Sequence, residues 1–309
     1  MHTILGAHGV IGTELVKELV SRRESIRLVA RNPKASAGVA QVVAADVSDL
    51  DQTISVVTGS SVVYLLVGLK YHVSVWRELW PRIMHNAIEA CKRANARLIF
   101  FDNVYMYGKV TGPMTEETPF NPLSRKGEVR AQIATMLLDE IKAGGVRALI
   151  ARAADFYGPA ARTSVANILV FDKLARQEKA SWLVNDSVPH SFTFTPDTGK
   201  SLAMLAASDT SWNQTWHVPT AAQPPTGKEF IRLAATRFRI EPRYRVLSPF
   251  MLKLAGVFNS DVRELGEMLY QYASPYVFDS TKFTKAFGFE PTDYATGIER
   301  TTSTYRAPQ

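Results

Sequence analysis

Cysteine is almost missing: Cys91 stands alone in 309 residues. One thiol can form neither an internal disulfide nor a cysteine-rich metal site. Its neighbours Ala87, Ile88, Glu89 and Ala90 follow a helical pattern, so it reads as a small packed hydrophobe and not as a nucleophile. Long apolar runs are missing too. The longest, residues 62–69, falls well below the ~20 residues a membrane-spanning helix needs, and no membrane partner is expected. Blocks of like charge are absent, as are aromatic-interleaved basic tracts. The surplus of 36 Lys and Arg over 29 Asp and Glu therefore suits a phosphate-bearing small ligand and gives no ground for nucleic acid. The chain reaches Gly6 too soon for a secretory signal, which sets the expectation of a cytoplasmic protein.

Other chemistries lack their residues. No two of the six histidines fall at metal-ligand spacing, and no metal site is expected. No GxSxG elbow is present. Gly199-Lys200-Ser201 imitates the end of a P-loop, but Phe194 stands where that loop requires glycine. What the chain does have is an ordinary globular balance, 46% hydrophobic and 21% charged, which excludes a disordered or fibrous protein.

Apolar runs at 2–5, 26–30, 41–45, 62–67, 97–101 and 146–151 alternate with helical patterns at 13–21, 73–94 and 125–143. Asp49 supplies a helix cap after the third run. The run at 62–67 is too hydrophobic to have a wet face, as in a parallel sheet covered on both sides. The alternation predicts an α/β fold, a doubly wound parallel sheet of the Rossmann kind. Proline-bearing loops separate shorter elements beyond it. The expected organisation is a dinucleotide-binding domain over 1–158, rejoined by segments near 190–219, and a smaller C-terminal substrate lobe formed mainly by 159–309.

Gly6, Gly9 and Gly12 follow the first strand and open the first helix. In that context glycine permits the tight turn and the approach of backbone N–H groups to a pyrophosphate, while the helix N-terminus contributes positive charge. The alternative is a glycine turn chosen for packing alone. The loop residues Gly6, His8, Gly9, Val10, Ile11 and Gly12 are the first candidate cofactor contacts. At the end of the second strand, where NAD sites place a carboxylate on the ribose 2′-hydroxyl, the chain reads Ala30-Arg31-Asn32. Arg31 can pair with a 2′-phosphate through its fork of donors, which favours NADP over NAD. A solvated arginine at a strand end is the competing reading.

The GxxGxxG spacing resembles the short-chain dehydrogenase/reductase superfamily, in its extended branch of NAD(P)-dependent epimerases and dehydratases. The resemblance runs through nearly the whole chain: Asp46-Val47 after the third strand, Val67-Gly68 after the fourth, and the segment from Arg97 to Tyr107-Gly108. It continues with Asp155-Phe156-Tyr157-Gly158-Pro159, Phe278-Asp279-Ser280-Thr281-Lys282 and Gly288-Phe289-Glu290-Pro291-Thr292. By this resemblance Asp46 and Val47 border the adenine and Val67 and Gly68 line the cofactor.

The family's catalytic Tyr-x-x-x-Lys is replaced. Lys126 stands at the tyrosine position and Arg130 at the lysine position, and Asn103 takes the place of the usual Ser or Thr. Lys126 and Arg130 share a helix face and could present two cations to a cofactor ribose or an anionic substrate, or be plain surface charges. The pattern resembles atypical members of the superfamily. Tyr105 and Tyr107 after the fifth strand, and Tyr71 and Tyr157 on loops after the fourth and sixth, are the candidates for a substitute acid, the alternative for each being a packed aromatic with a satisfied hydroxyl. Asn103, Tyr105, Lys126 and Arg130 form the candidate catalytic set. The implied function is that of an NADP-binding oxidoreductase or epimerase/dehydratase-like enzyme with a variant acid/base set, acting on a small carbonyl, hydroxyl or nucleotide-sugar substrate. The alternative is a non-catalytic NAD(P)-binding regulator or redox sensor. Family members often dimerise through the helices here represented by 73–94 and 125–143, so a homodimer is open.

Overall fold

The computed structural model describes residues 1–34 and 36–305. The first half alternates as expected: β1 (His2–Leu5), α1 (Val10–Ser21), β2 (Ile26–Ala30), β3 (Gln41–Ala44), α2 (Leu50–Val57), β4 (Val62–Leu65), α3 (Val73–Ala94), β5 (Arg97–Asp102), α4 (Arg125–Lys142) and β6 (Ala148–Arg152). After β7 (Asp155–Tyr157) come α5 (Asp172–Ala175), β8 (Ala180–Leu183), β9 (Phe192–Phe194) and α6 (Thr195–Ala207). They are followed by β10 (Thr215–His217), α7 (Gly227–Phe238), β11 (Tyr244–Leu247), α8 (Pro249–Phe258) and α9 (Ser260–Leu265). One sheet of seven parallel strands runs in the order β10-β6-β5-β4-β1-β2-β3. The winding reverses between β1 and β4, and such a switch point opens a crevice at the carboxyl ends of the strands.

Successive residues of the central strands feed two different cores, which is why these runs carry no polar alternation. Val63, Leu65, Leu98 and Phe100 face Trp80, Ile83, Met84 and Ile133 of α3 and α4. Val62, Tyr64 and Ile99 pack with Leu15, Leu19 and Leu202 of α1 and α6. Gly199 lies inside α6, where a Cβ would meet the Glu14 backbone at 2.6 Å, so the P-loop imitation marks a close helix crossing. Cys91 is buried in the first core, and burial pushes its thiol up.

Two details differ from the sequence pattern. Helix α1 starts at Val10, within the glycine set, because Gly9 itself is the N-cap. Tyr157 is not on a loop: it ends β7, which pairs with β9, and it is 1% exposed among Phe192, Phe194, Phe230 and Tyr294. That three-residue strand is too short to show a period, and its partner lies far along the chain.

Candidate active site

The three glycines at the β1/β4 crevice do different work. Gly6 has φ +90°, a backbone conformation that favours glycine, and a Cβ there would stand 2.7 Å from Cα of Val67. At Gly12 a Cβ would come within 2.5 Å of the Ala7 carbonyl oxygen. Both positions let the loop pack closely against its surroundings. Gly9 is open by contrast, with 3.6 Å from its ideal Cβ to the nearest atom, the Gly6 oxygen. The helix it caps has no side-chain cap and no acidic residue in its first turn, whereas Asp49 caps α2 with its carboxylate. Free N–H groups and the helix dipole together make a seat for an anion. His8 accepts a hydrogen bond from the Lys34 backbone N–H at 2.8 Å through Nε2, tying this loop to the chain after β2.

Arg31 and Asn32 are exposed at the carboxyl end of β2. Asp46 lies after β3, where its Oδ1 accepts from the Ser48 backbone N–H (2.9 Å) and hydroxyl (2.8 Å). Those bonds hold its carboxyl below the usual range, with smaller help from the positive charges of Arg31 and Arg82. The Val47 carbonyl is fixed by Asn86 Nδ2 at 3.1 Å. Val67 is half-buried beside Gly6, and Gly68 is exposed with open space where a Cβ would be. These groups fit a dinucleotide: an open glycine at an uncapped helix, a cation at the end of β2, and small exposed backbone after β4.

The other half of the crevice is rimmed by the ends of β5 and α4. Asn103 is half-buried and its Oδ1 accepts from the Tyr105 backbone N–H at 3.0 Å, which shapes the turn after β5. The Tyr105 ring stacks on Trp76 with centroids 6.2 Å apart, and Tyr71 meets the edge of the same indole at 5.6 Å. The two tyrosines meet on that indole and act on each other electrostatically, and burial pushes both hydroxyls up from their ordinary value. The structure thus pairs two of the four candidate tyrosines. Tyr107, like Tyr157, is buried, and its hydroxyl receives Arg152 Nη1 at 2.7 Å and meets His217 Nε2 at 2.9 Å.

Lys126 and Arg130 do not stand at the surface. Lys126 is 0% exposed, and its ammonium donates to the Glu264 carbonyl (2.9 Å), Glu264 Oε2 (2.5 Å) and Glu267 Oε1 (2.7 Å). An ammonium has three donors, so none is left for another acceptor in this arrangement. Glu264 also accepts from the Val73 backbone N–H at the start of α3 (3.0 Å) and lies 3.5 Å from His72 Nε2. Burial opposes its ionisation, but the bonds from Lys126 and Val73 outweigh that and hold its carboxyl below the usual range. Arg130 lies over the Trp80 ring at 4.3 Å and Trp76 at 5.0 Å, with Nε 3.4 Å from the buried Asp102 carboxylate. Its Nε and Nη1 have no hydrogen-bond partner among the described residues.

One group went unread in the sequence. Asp155, quoted there only as part of a motif, accepts through Oδ2 from His190 (3.0 Å) and Tyr272 (2.8 Å). His190 is sandwiched between Tyr272 and Tyr276, each at 4.4 Å. Asp155 also acts electrostatically on Tyr71, Tyr105 and Tyr270. A carboxylate three residues beyond a buried strand, at the carboxyl edge of the sheet, is the signal that could have found it. Among the described residues no group of His, Cys, Asp and Glu could hold a metal ion.

The model of the NAD dependent epimerase/dehydratase family matches residues 2–188. The chain belongs to that family. Solved structures with the same fold include UDP-N-acetylglucosamine 4-epimerase from Bacillus cereus, at 16% identity and TM-score 0.78 over 98% of this chain and 95% of that one. UDP-glucose 4-epimerase from Thermus thermophilus, in complex with NAD, is 17% identical with TM-score 0.77 over 99% of both chains. The dTDP-glucose 4,6-dehydratase DesIV from Streptomyces venezuelae, with NAD bound, is 16% identical with TM-score 0.81 over 99% of this chain and 97% of that one. No curated protein matches in sequence. Membership of this epimerase/dehydratase family and the doubly wound sheet agree with the resemblance read from the motifs, and no helix among the described residues is long and apolar enough to cross a membrane.

Proposed function

We propose that this family member is an NADP-preferring oxidoreductase or epimerase-type enzyme in which the tyrosine pair Tyr71–Tyr105 takes the place of Tyr-x-x-x-Lys. The observation that carries the reading is that pair, seated after β4 and β5 on the same sheet edge as the open glycine Gly9. The Gly9 backbone and the first N–H groups of α1 would hold the pyrophosphate, Arg31 the 2′-phosphate, and the chain at Asp46–Val47 and Val67–Gly68 the two ends. Such a cofactor, when bound, exchanges a hydride with the substrate. Arg130 has the unpartnered donors on α4; Lys126 keeps the wall of the site in place.

Both tyrosine hydroxyls are held up from their ordinary value by burial, so each carries its proton at neutral pH. A neutral hydroxyl suits donation to a carbonyl oxygen. Asp155, Glu264 and Glu267 gather near these tyrosines. Lys126 is ion-paired with both glutamates and Arg130 lies over the Trp76 indole, so small carbonyl, hydroxyl and nucleotide-sugar compounds all belong in the substrate panel. The spent donors of Lys126 favour a second reading, nucleotide binding without turnover. The substrate panel, followed by loss of reduced-nicotinamide absorbance, separates the two. Tyr105→Phe is expected to keep cofactor affinity and lose about 10²–10⁴-fold in rate, with Tyr71→Phe intermediate. If no compound turns over and the Phe variants change only stability, the binding-only reading stands.

A further inference from the structure

Eight large hydrophobic side chains are exposed among the described residues, and five of them lie on the single helix α8: Phe250 (75%), Met251, Leu254, Val257 (67%) and Phe258 (88%). The helix touches the body of the protein through Leu252 and Gly256, its two buried positions. Gly256 permits that contact, since a Cβ there would come within 3.0 Å of Cα of Arg263 in α9. At 3.6 residues per turn, Phe250, Leu254 and Val257 fall on the side opposite Leu252 and Gly256, with Met251 and Phe258 flanking them. The apolar stripe of an ordinary surface helix faces the core; this one faces out.

The sequence around this helix is cationic. Between residues 239 and 263, Arg239, Arg243, Arg245, Lys253 and Arg263 are exposed and none is in an ion pair among the described residues, against the exposed acids Glu241 and Asp261. An outward apolar stripe beside unpaired basic residues is the combination that lies in a lipid headgroup layer. We propose that α8 is an interfacial helix that seats the protein on an anionic membrane surface. Nothing spans the bilayer: the phenylalanines at the two ends of the helix enter the acyl boundary and the basic residues meet the headgroups. A second copy of the chain is the weaker occupant. A helix about 15 Å long offers far less than the roughly 800 Å² per partner of a stable interface.

The test is co-sedimentation of the full chain with vesicles of phosphatidylcholine alone and of phosphatidylcholine mixed with phosphatidylserine. The protein should pellet with the anionic vesicles only, and less so as salt rises. Phe250→Ser with Phe258→Ser should lower the bound fraction about tenfold, and Lys253→Glu with Arg245→Glu by a similar factor, with the thermal unfolding of all variants unchanged. Equal pelleting of parent and variants, or none with either vesicle, overturns the proposal. So does sedimentation velocity showing a parent dimer that the double Ser variant converts to monomer.

Discussion

The Lys126 ammonium lies 2.5 Å from Glu264 and 2.7 Å from Glu267, so the residue that the resemblance sets at the family's tyrosine position is a clamp between the start of α4 and the segment that follows α8. Removing it leaves two carboxylates facing each other without their cation. Breaking a buried ion pair costs about 3–5 kcal/mol, and Lys126→Met is expected to show that loss in urea unfolding. Glu264 has a lowered folded-state pKa, so its share of the stability is full above its unfolded pKa and is lost as pH falls through the folded value. A Lys126→Met protein of parental stability would show that the clamp contributes nothing.

Gly9→Val should abolish NADPH binding and leave the circular dichroism unchanged, because its side chain has room in the protein but fills the anion seat. Gly6→Val and Gly12→Val should instead lower the melting temperature, since both meet backbone within 2.8 Å. Fluorescence titration of the reduced nicotinamide, run beside thermal melts, distinguishes the three.

Arg31 sets the expected cofactor preference. A charge-assisted bond to a 2′-phosphate is worth about 1.5–3 kcal/mol, roughly a tenfold to hundredfold preference for NADPH over NADH. Arg31→Asp should reverse it by placing a carboxylate where a ribose hydroxyl is read. Equal affinities in the parent protein would remove the argument.

His217 is the group through which acid should act first. Arg152 donates to the Tyr107 hydroxyl, which lies 2.9 Å from His217 Nε2, while Nδ1 is 2.7 Å from the Asp279 carbonyl. The chain of donors runs one way only with Nδ1 protonated and Nε2 bare. Burial lowers its pKa from 6.5 to about 3. Between those values the unfolded chain binds a proton that the folded one does not, so stability rises with pH across the window, by about 1.4 kcal/mol per unit at most. Urea midpoints measured from about pH 6 down to about pH 4 should fall, and His217→Gln should flatten that slope.

What could be read in advance was local. The glycine loop, the strand alternation and helix α3 rest on residues close in sequence, and α3 ends where Asn95 adopts the left-handed conformation with φ 50°. Its Pro81 lies inside the helix without ending it. The clamp on Lys126 was out of reach, because Glu264 stands 138 residues further on. Lys126 and Arg130 share a helix face as their spacing requires, but whether that face meets water or a buried carboxylate depends on which elements pack there. The same holds for α8. An apolar stripe in a sequence reads as core, and only the packing of Leu252 and Gly256 inward shows that Phe250 and Phe258 point out.

Cys91 gives the molecule a built-in clock. Its thiol is 0% exposed on the inner face of α3 and held up by burial, so alkylating reagents meet it only when the core between α3 and the sheet opens. With no second thiol in the sequence to confuse the signal, the rate of a single mass increment reports how often this half of the protein comes apart. A cofactor seated at the crevice would slow that rate in proportion to its hold on the folded state.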